Sequence, residues 1–297
     1  MKKEKFSVSF LFLPVLIMVV FLVSCAVPTQ PSGEKIYELK YQLAKGTKIT
    51  MISSAEVNSV TDQMGTEVLT DIYGETEDIY VVLSTDKEKG LTLEYEFGER
   101  SQDMDSAEGS NSTDFSDLIG KKVKFILLQN GKVEGFEGFD GLPEITTGAG
   151  EELNEETYIL AVKTTFPLLP DKPVKIGDTW SDTQVLDIPQ GGGVLKLENN
   201  FTYTLIEETE KDGFDCLKIE MTGVSRLSGD FEQGGMPLSI ERETTSSGTI
   251  YFAFKKGMFI SGESESLGEG IINVPQYGLE IFQTITTKGS LTVRIEK

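Results

Sequence analysis

Strict alternation of apolar and polar residues recurs along this chain and limits its fold more than any other feature. Tyr37, Leu39, Tyr41 and Leu43 alternate with Glu38, Lys40 and Gln42, and Leu91, Leu93, Tyr95 and Phe97 alternate with Thr92, Glu94 and Glu96. Leu217, Ile219 and Met221 do the same against Lys218, Glu220 and Thr222, as do Leu291, Val293 and Ile295 against Thr292, Arg294 and Glu296. Successive side chains on a strand point to opposite faces, so this period predicts antiparallel sheet with one wet face. Asn130-Gly131, Asp212-Gly213, Lys256-Gly257 and Lys288-Gly289 supply turn signals between the runs.

Residues 151–166 read differently. Acids crowd the first turn, and Leu153, Tyr158, Ala161, Val162 and Phe166 share one face of a helix that Pro167 and Pro170 close. This helix lies in a connector, residues 142–173, between halves that resemble each other. Residues 79–97 align with 201–221 on Gly90 and Gly213, and residues 125–135 align with 251–261 on Gly131 and Gly257. Lys45-Gly46-Thr47-Lys48-Ile49 precedes the first pair as Ile176-Gly177-Asp178-Thr179-Trp180 precedes the second. Three anchors in one order point to duplication. The predicted fold is mostly β: two tandem twisted antiparallel sheets, curled like half-barrels. A first repeat spans residues 35–141 and a second spans 174–297, with two extra strands at 277–286 and 290–297.

The N-terminus carries an address. Lys2, Lys3 and Lys5 precede an apolar run over residues 10–22, which contains Pro14 and is short for a membrane span. Leu22-Val23-Ser24-Cys25 then resembles the bacterial lipobox, which implies a signal peptide over residues 1–24 and acylation of Cys25, palmitate included. Two or three acyl chains hold a protein durably where one does not. Cleavage removes Lys2, Lys3, Glu4 and Lys5 and takes the net charge from −21 to −23, so lipid and not surface charge must hold the body at an anionic membrane. Residues 25–34 form the lipidated tether, small, polar and Pro-rich. The expected location is the outer membrane where the cell has one, and otherwise the cell surface.

Pro173-Val174-Lys175-Ile176-Gly177-Asp178-Thr179-Trp180, with Gly120-Lys121-Lys122-Val123 leading to Asn130-Gly131-Lys132-Val133, resembles a family of bacterial lipoproteins of unknown function. In that family a lipobox precedes β-rich halves, and a mid-chain Gly-Asp-x-Trp opens the second. The resemblance implies no activity.

Composition removes whole classes of chemistry. The chain has no histidine, so no Ser-His-Asp or Cys-His nucleophile and no His-ligated zinc can be built from it. With 48 acids against 27 bases it repels nucleic acid. The acidic stretch 101–117 fails as an EF-hand from Asp103, since Ala107, Glu108 and Asp114 stand where ligand, glycine and glutamate belong; it reads as a solvated loop. Gly191-Gly192-Gly193 and Gly268-Glu269-Gly270 lack the third glycine of a dinucleotide loop. Cys216 reads as a small core hydrophobe among acids that disfavour its thiolate. No catalytic residue, metal or cofactor is expected, and the chain is read as a non-enzyme.

Apolar residues on both faces of certain strands are more informative. Phe125 and Leu127 oppose Ile126 and Leu128, and Ile250, Phe252 and Phe254 oppose Tyr251 and Ala253. Either the helix covers the second face or that face lines an apolar groove. Phe125, Trp180, Phe252 and Phe254 are the candidate ligand-binding residues. The expected function is an extracytoplasmic, lipid-anchored binding protein carrying a hydrophobic ligand. The alternative is a structural or interaction lipoprotein that docks an envelope protein; a continuous apolar cavity of ~300 Å³ or more separates the two.

Overall fold

A computed structural model describes residues 35–296 except 64, 87–88, 108, 149–151, 191 and 234. The signal peptide, Cys25 and the tether lie outside the described residues. The first half holds β1 (Lys48–Gln63), β2 (Thr66–Asp86), β3 (Gly90–Glu96), β4 (Arg100–Ser106), β5 (Gly109–Ser112), β6 (Lys122–Leu127) and β7 (Val133–Glu137). A short pair, β8 (Ile145–Thr146) and β9 (Glu152–Leu153), leads into α1 (Glu155–Thr165). The second half is a meander of β10 (Thr179–Gln190), β11 (Gly193–Lys211), β12 (Phe214–Gln233), β13 (Met236–Ala253), β14 (Met258–Val274) and β15 (Leu279–Glu296). The two strands expected at 277–286 and 290–297 are one, because Lys288 and Gly289 continue the ladder opposite Glu56 and Ala55 instead of turning.

The halves do not form two tandem sheets. They form one open, 13-stranded antiparallel sheet in the order β10-β11-β12-β13-β14-β15-β1-β2-β3-β6-β7, with β4 on β2 and β5 on β4. The join is β1 against β15, paired from Lys48↔Glu296 to Asp62↔Phe282. This pairing removes two exposed edges and aligns Ile49 with Ile295 and Met51 with Val293. The strands at the two ends of that order, β7 and β10, both contact α1, so the sheet curls until one helix meets both.

Local geometry repeats between the halves. Gly46 and Gly177 both take positive φ, 85° and 91°, where a side chain would be strained. The Gly46 N–H donates to the Val82 carbonyl as that of Gly177 does to Leu205, and Val82 and Leu205 donate back to Thr47 and Asp178. The register shifts just after both acceptors, between Val82 and Ser84 and between Leu205 and Glu207.

The helix begins later than the acids suggest because Asn154 caps it: its side chain accepts from the Glu156 and Thr157 amides at 3.1 Å, and Thr157 closes a capping box. Beyond the helix, Phe166 enters an aromatic cluster with Tyr41, Tyr80, Phe125 and Phe259, centroids 5.8–6.2 Å away. The face of the sheet carrying these residues is the helix face. On the other, open face near the same end, a small cluster of Cys216, Ala253 and Ile260 is covered by strand side chains and not by the helix. The acidic stretch is not a loop: β4 and β5 form a hairpin with Asp103 and Asp105 exposed and Gln102 and Met104 turned inward.

Most strands outrun this core. β12 and β13 have 20 and 18 residues, while their counterparts β3 and β6 have 7 and 6. At the far end four hairpins share one feature: Gly65, Gly192, Gly235 and Gly278, all at positive φ, each follow a glutamine by two residues, a Gln-x-Gly pattern in the sequence.

Candidate functional site

One row of very small residues crosses the sheet on the helix face. Strand register places Gly248 beside Ser264, Ser264 beside Gly289, Gly289 beside Ala55, and Ala55 beside Gly74. Met221 and Gln102 close the row at its two ends. With nothing larger than a hydroxymethyl group standing on five adjacent strands, the sheet surface drops into a trough of about 510 Å³. Met51, Tyr80, Ile250 and Leu291 wall it on the core side, and Phe115 and Thr165, at the end of α1, border it.

The polar group of this wall is Asp78. Its carboxylate accepts from Arg100 and, at 3.0 Å, from the Tyr95 hydroxyl. Only 10% of the Arg100 side chain and 17% of the Asp78 side chain are exposed. Burial pushes the Asp78 carboxyl above its ordinary value, and Arg100 partly offsets this. Burial also raises the Tyr80 phenol well above its usual range. The trough therefore pairs a floor of glycine, alanine and serine and a mixed wall of Met51, Tyr80, Ile250, Leu291 and hydroxyl side chains with a clamped, partly desolvated acid.

The residues singled out by sequence lie elsewhere. Phe125 and Phe252 are core plugs, 0% and 1% exposed, with Phe252 edge-on to Tyr41 at 5.8 Å. Phe254 is half-buried, edge-on to Tyr37 at 5.5 Å. Trp180 stacks on Tyr203 at 5.5 Å, donates from Nε1 to the Leu168 carbonyl at 3.0 Å, and lines a separate hollow of about 300 Å³. These four side chains do not converge on the trough. The signal for the trough was glycine inside strand patterns, which marks close approach of a ligand or backbone. Cys216 is buried as expected, and burial raises its thiol to about 11.

The open face is charged. Lys288 stands between Glu265 and Glu56 on neighbouring strands, over a hollow of about 630 Å³ that Glu220 and Glu263 also line. Among the described residues, no group of three or more acids or cysteines is arranged to hold a metal ion.

A family model described as a family of unknown function, DUF6263, matches residues 87–259. No curated protein matches the chain. Among solved structures, an exported protein with a YmcC-like fold from Bacteroides fragilis is similar over 87% of this chain and 99% of its own, at 10% identity and a TM-score of 0.23. OccK5 (OpdH) of Pseudomonas aeruginosa is similar over 83% of this chain and 98% of its own, at 6% identity and a TM-score of 0.27. OccK7 (OpdD) of the same organism covers 86% and 100%, at 9% identity and a TM-score of 0.25. Likeness at this level carries neither fold nor function across.

Proposed function

We propose, from the premise that this chain belongs to the DUF6263 family of unknown function, that it is an exported, lipid-anchored binding protein carrying a hydrophobic ligand in the trough. Cys25, in Leu22-Val23-Ser24-Cys25, is the anchor. The location is the outer membrane where there is one, and otherwise the cell surface.

The observation that carries this reading is the row Gly74, Ala55, Gly289, Ser264 and Gly248. A recess of about 510 Å³ bordered by Met51, Tyr80, Phe115, Ile250 and Leu291 falls in the size range of ligand sites. Thr76, Asp78 and Gln102 offer hydrogen bonds at its margin, which suits an apolar ligand with a hydroxyl or amine end. The lack of histidine supports binding over catalysis. We also read the body as a duplicated unit whose second copy was extended; the matched turns and register shifts support this.

Native mass spectrometry with organic extraction tests the carrier reading on a Cys25→Ser chain purified without detergent. Near one lipid per chain is the expected result, lost in Gly74→Leu. A bare mass at every protein concentration overturns the reading. It would favour the interaction lipoprotein, which the exposed Leu69 and Phe282 of the far strands support and which crosslinking in the envelope would test.

A further inference from the structure

The end of the body where the N-terminal segment leaves differs chemically from the rest. Lys35 begins the compact unit, and Tyr37 is fixed two residues later by paired backbone hydrogen bonds with Val174 of 2.7 and 2.9 Å. Cys25 therefore sits ten residues before a fixed exit point, a reach of at most ~35 Å. Beside the exit, Ile36 and Ile176 are 68% and 50% exposed. Continuing the antiparallel bridge sets Lys35 opposite Ile176 and Ile36 opposite Lys175. Lysines also ride on half-buried rings here: Lys35 and Lys255 lie 5.7 and 5.8 Å from the Phe254 centroid, and Lys256 lies 5.9 Å from that of Phe214.

Charge divides the same way. The segments that build this end, residues 35–46, 129–133, 171–178, 207–218 and 254–257, hold ten lysines and eight acids, although acids outnumber bases 48 to 27 in the whole chain. Backbone hydrogen bonds tie several of them together, from Tyr37 to Val174, from Tyr41 to Gln129 and from Gln42 to Gly257.

We propose that this end lies flat on an anionic lipid surface, with Ile36 and Ile176 entering the interface and the Gln-x-Gly turns pointing away from it. The proposal rests on the reading of Cys25 as the anchor. A tether alone fixes only a distance. Orientation comes from the field: within a Debye length of ~8 Å an anionic bilayer repels every acidic flank and tolerates the one end where bases prevail. Two exposed isoleucines flanked by lysines add apolar burial with charged heads left at headgroup level.

The test uses the acylated full chain in vesicles of phosphatidylglycerol and phosphatidylethanolamine containing a headgroup spin-labelled lipid. A fluorophore is attached at Ile176→Cys or, separately, at Tyr277→Cys, which is 66% exposed at the far turns; Cys216 is fully buried and does not compete. Ile36→Cys is a second near-end position should Ile176→Cys fold poorly. Quenching at 176 without quenching at 277 is expected. Lys172→Glu and Lys175→Glu should each reduce the apposed state about five-fold. Equal quenching at both positions, or quenching at 277 alone, overturns the proposal. An acylated chain that sediments with vesicles yet shows no quenching at 36 or 176 overturns this proposal alone. A chain without acyl mass that stays in the supernatant overturns the anchor reading and this proposal together.

Discussion

The near and far ends of the same strands obey different rules. At the near end Leu217 pairs with Phe252, and both are essentially inaccessible. Fifteen to thirty residues along the chain, Leu267 and Phe282 are 44% and 53% exposed on the open face. On the helix face the far end carries a second apolar row, Leu195, Gly229, Ile240, Ile272 and Ile281, separate from the aromatic core. The small-residue trough lies between the two zones. β3 and β6 stop after one core width and still pack completely, so the core does not need the extension that β12 and β13 make. Sheet built beyond the needs of the core is available for function.

The largest expected effect tests the near end. Phe252→Ala should cost about 3–5 kcal/mol in guanidinium unfolding, because a fully buried ring leaves a cavity. Phe282→Ala should stay within ~0.5 kcal/mol. Comparable losses would erase the distinction between the two ends.

Arg100→Met comes next, at about 3 kcal/mol near neutral pH, because it leaves a buried carboxylate unpaired. The sign of its pH dependence follows from burial. The Asp78 carboxyl titrates above its unfolded value in the fold, so its contribution to stability is fully present below pH ~4 and is lost as pH rises through the raised value. Arg100 limits that loss. The variant should therefore nearly match wild type in urea melts at pH ~3.5 and diverge toward pH 7. A constant gap across that range would mean that Arg100 acts through packing alone.

Asn154→Ala should cost about 1 kcal/mol by freeing the first-turn amides of α1, seen as a lower thermal midpoint. A larger loss would mean that the helix spanning both sheet edges is itself a keystone.

Much of this organisation was legible in the chain. Alternation located most of the strands, and Gly131, Gly213 and Gly257 located near hairpins, because both signals are local. The alternating residues 37–43 instead form an extended segment outside the named strands, bridged from Tyr37 to Val174, and Gly289 lies inside β15. The single sheet was not legible: pairing Lys48 with Glu296 is a long-range choice that alternation leaves open. β4 was missed because its inward residues, Gln102, Met104 and Ser106, carry little hydrophobic signal although their alternation with Asp103 and Asp105 is intact. The bulky aromatics drew attention as ligand residues, yet size and hydrophobicity are also what a core demands. The trough is marked by what its residues lack, and only register brings Gly74, Gly289 and Gly248 onto one line.

The smallest expected stability change is the sharpest test of that line. A Cβ at Gly74 would meet the Ser101 carbonyl oxygen at 3.5 Å, and one at Gly262, in the adjoining row, would meet that of Thr249 at 3.4 Å, both ordinary contacts. At Gly98 and Gly193 it would meet carbonyl oxygens at 1.8 and 2.0 Å, so those glycines are demanded by the backbone. Gly74 and Gly262 are thus not required by packing. Gly74→Leu and Gly262→Leu should leave unfolding midpoints unchanged or raise them, since glycine within a strand is entropically costly. They should also fill the trough and abolish co-purifying lipid. A large drop in midpoint would mean that the row already has a packing partner. Unchanged stability with lipid retained would move the ligand away from the trough.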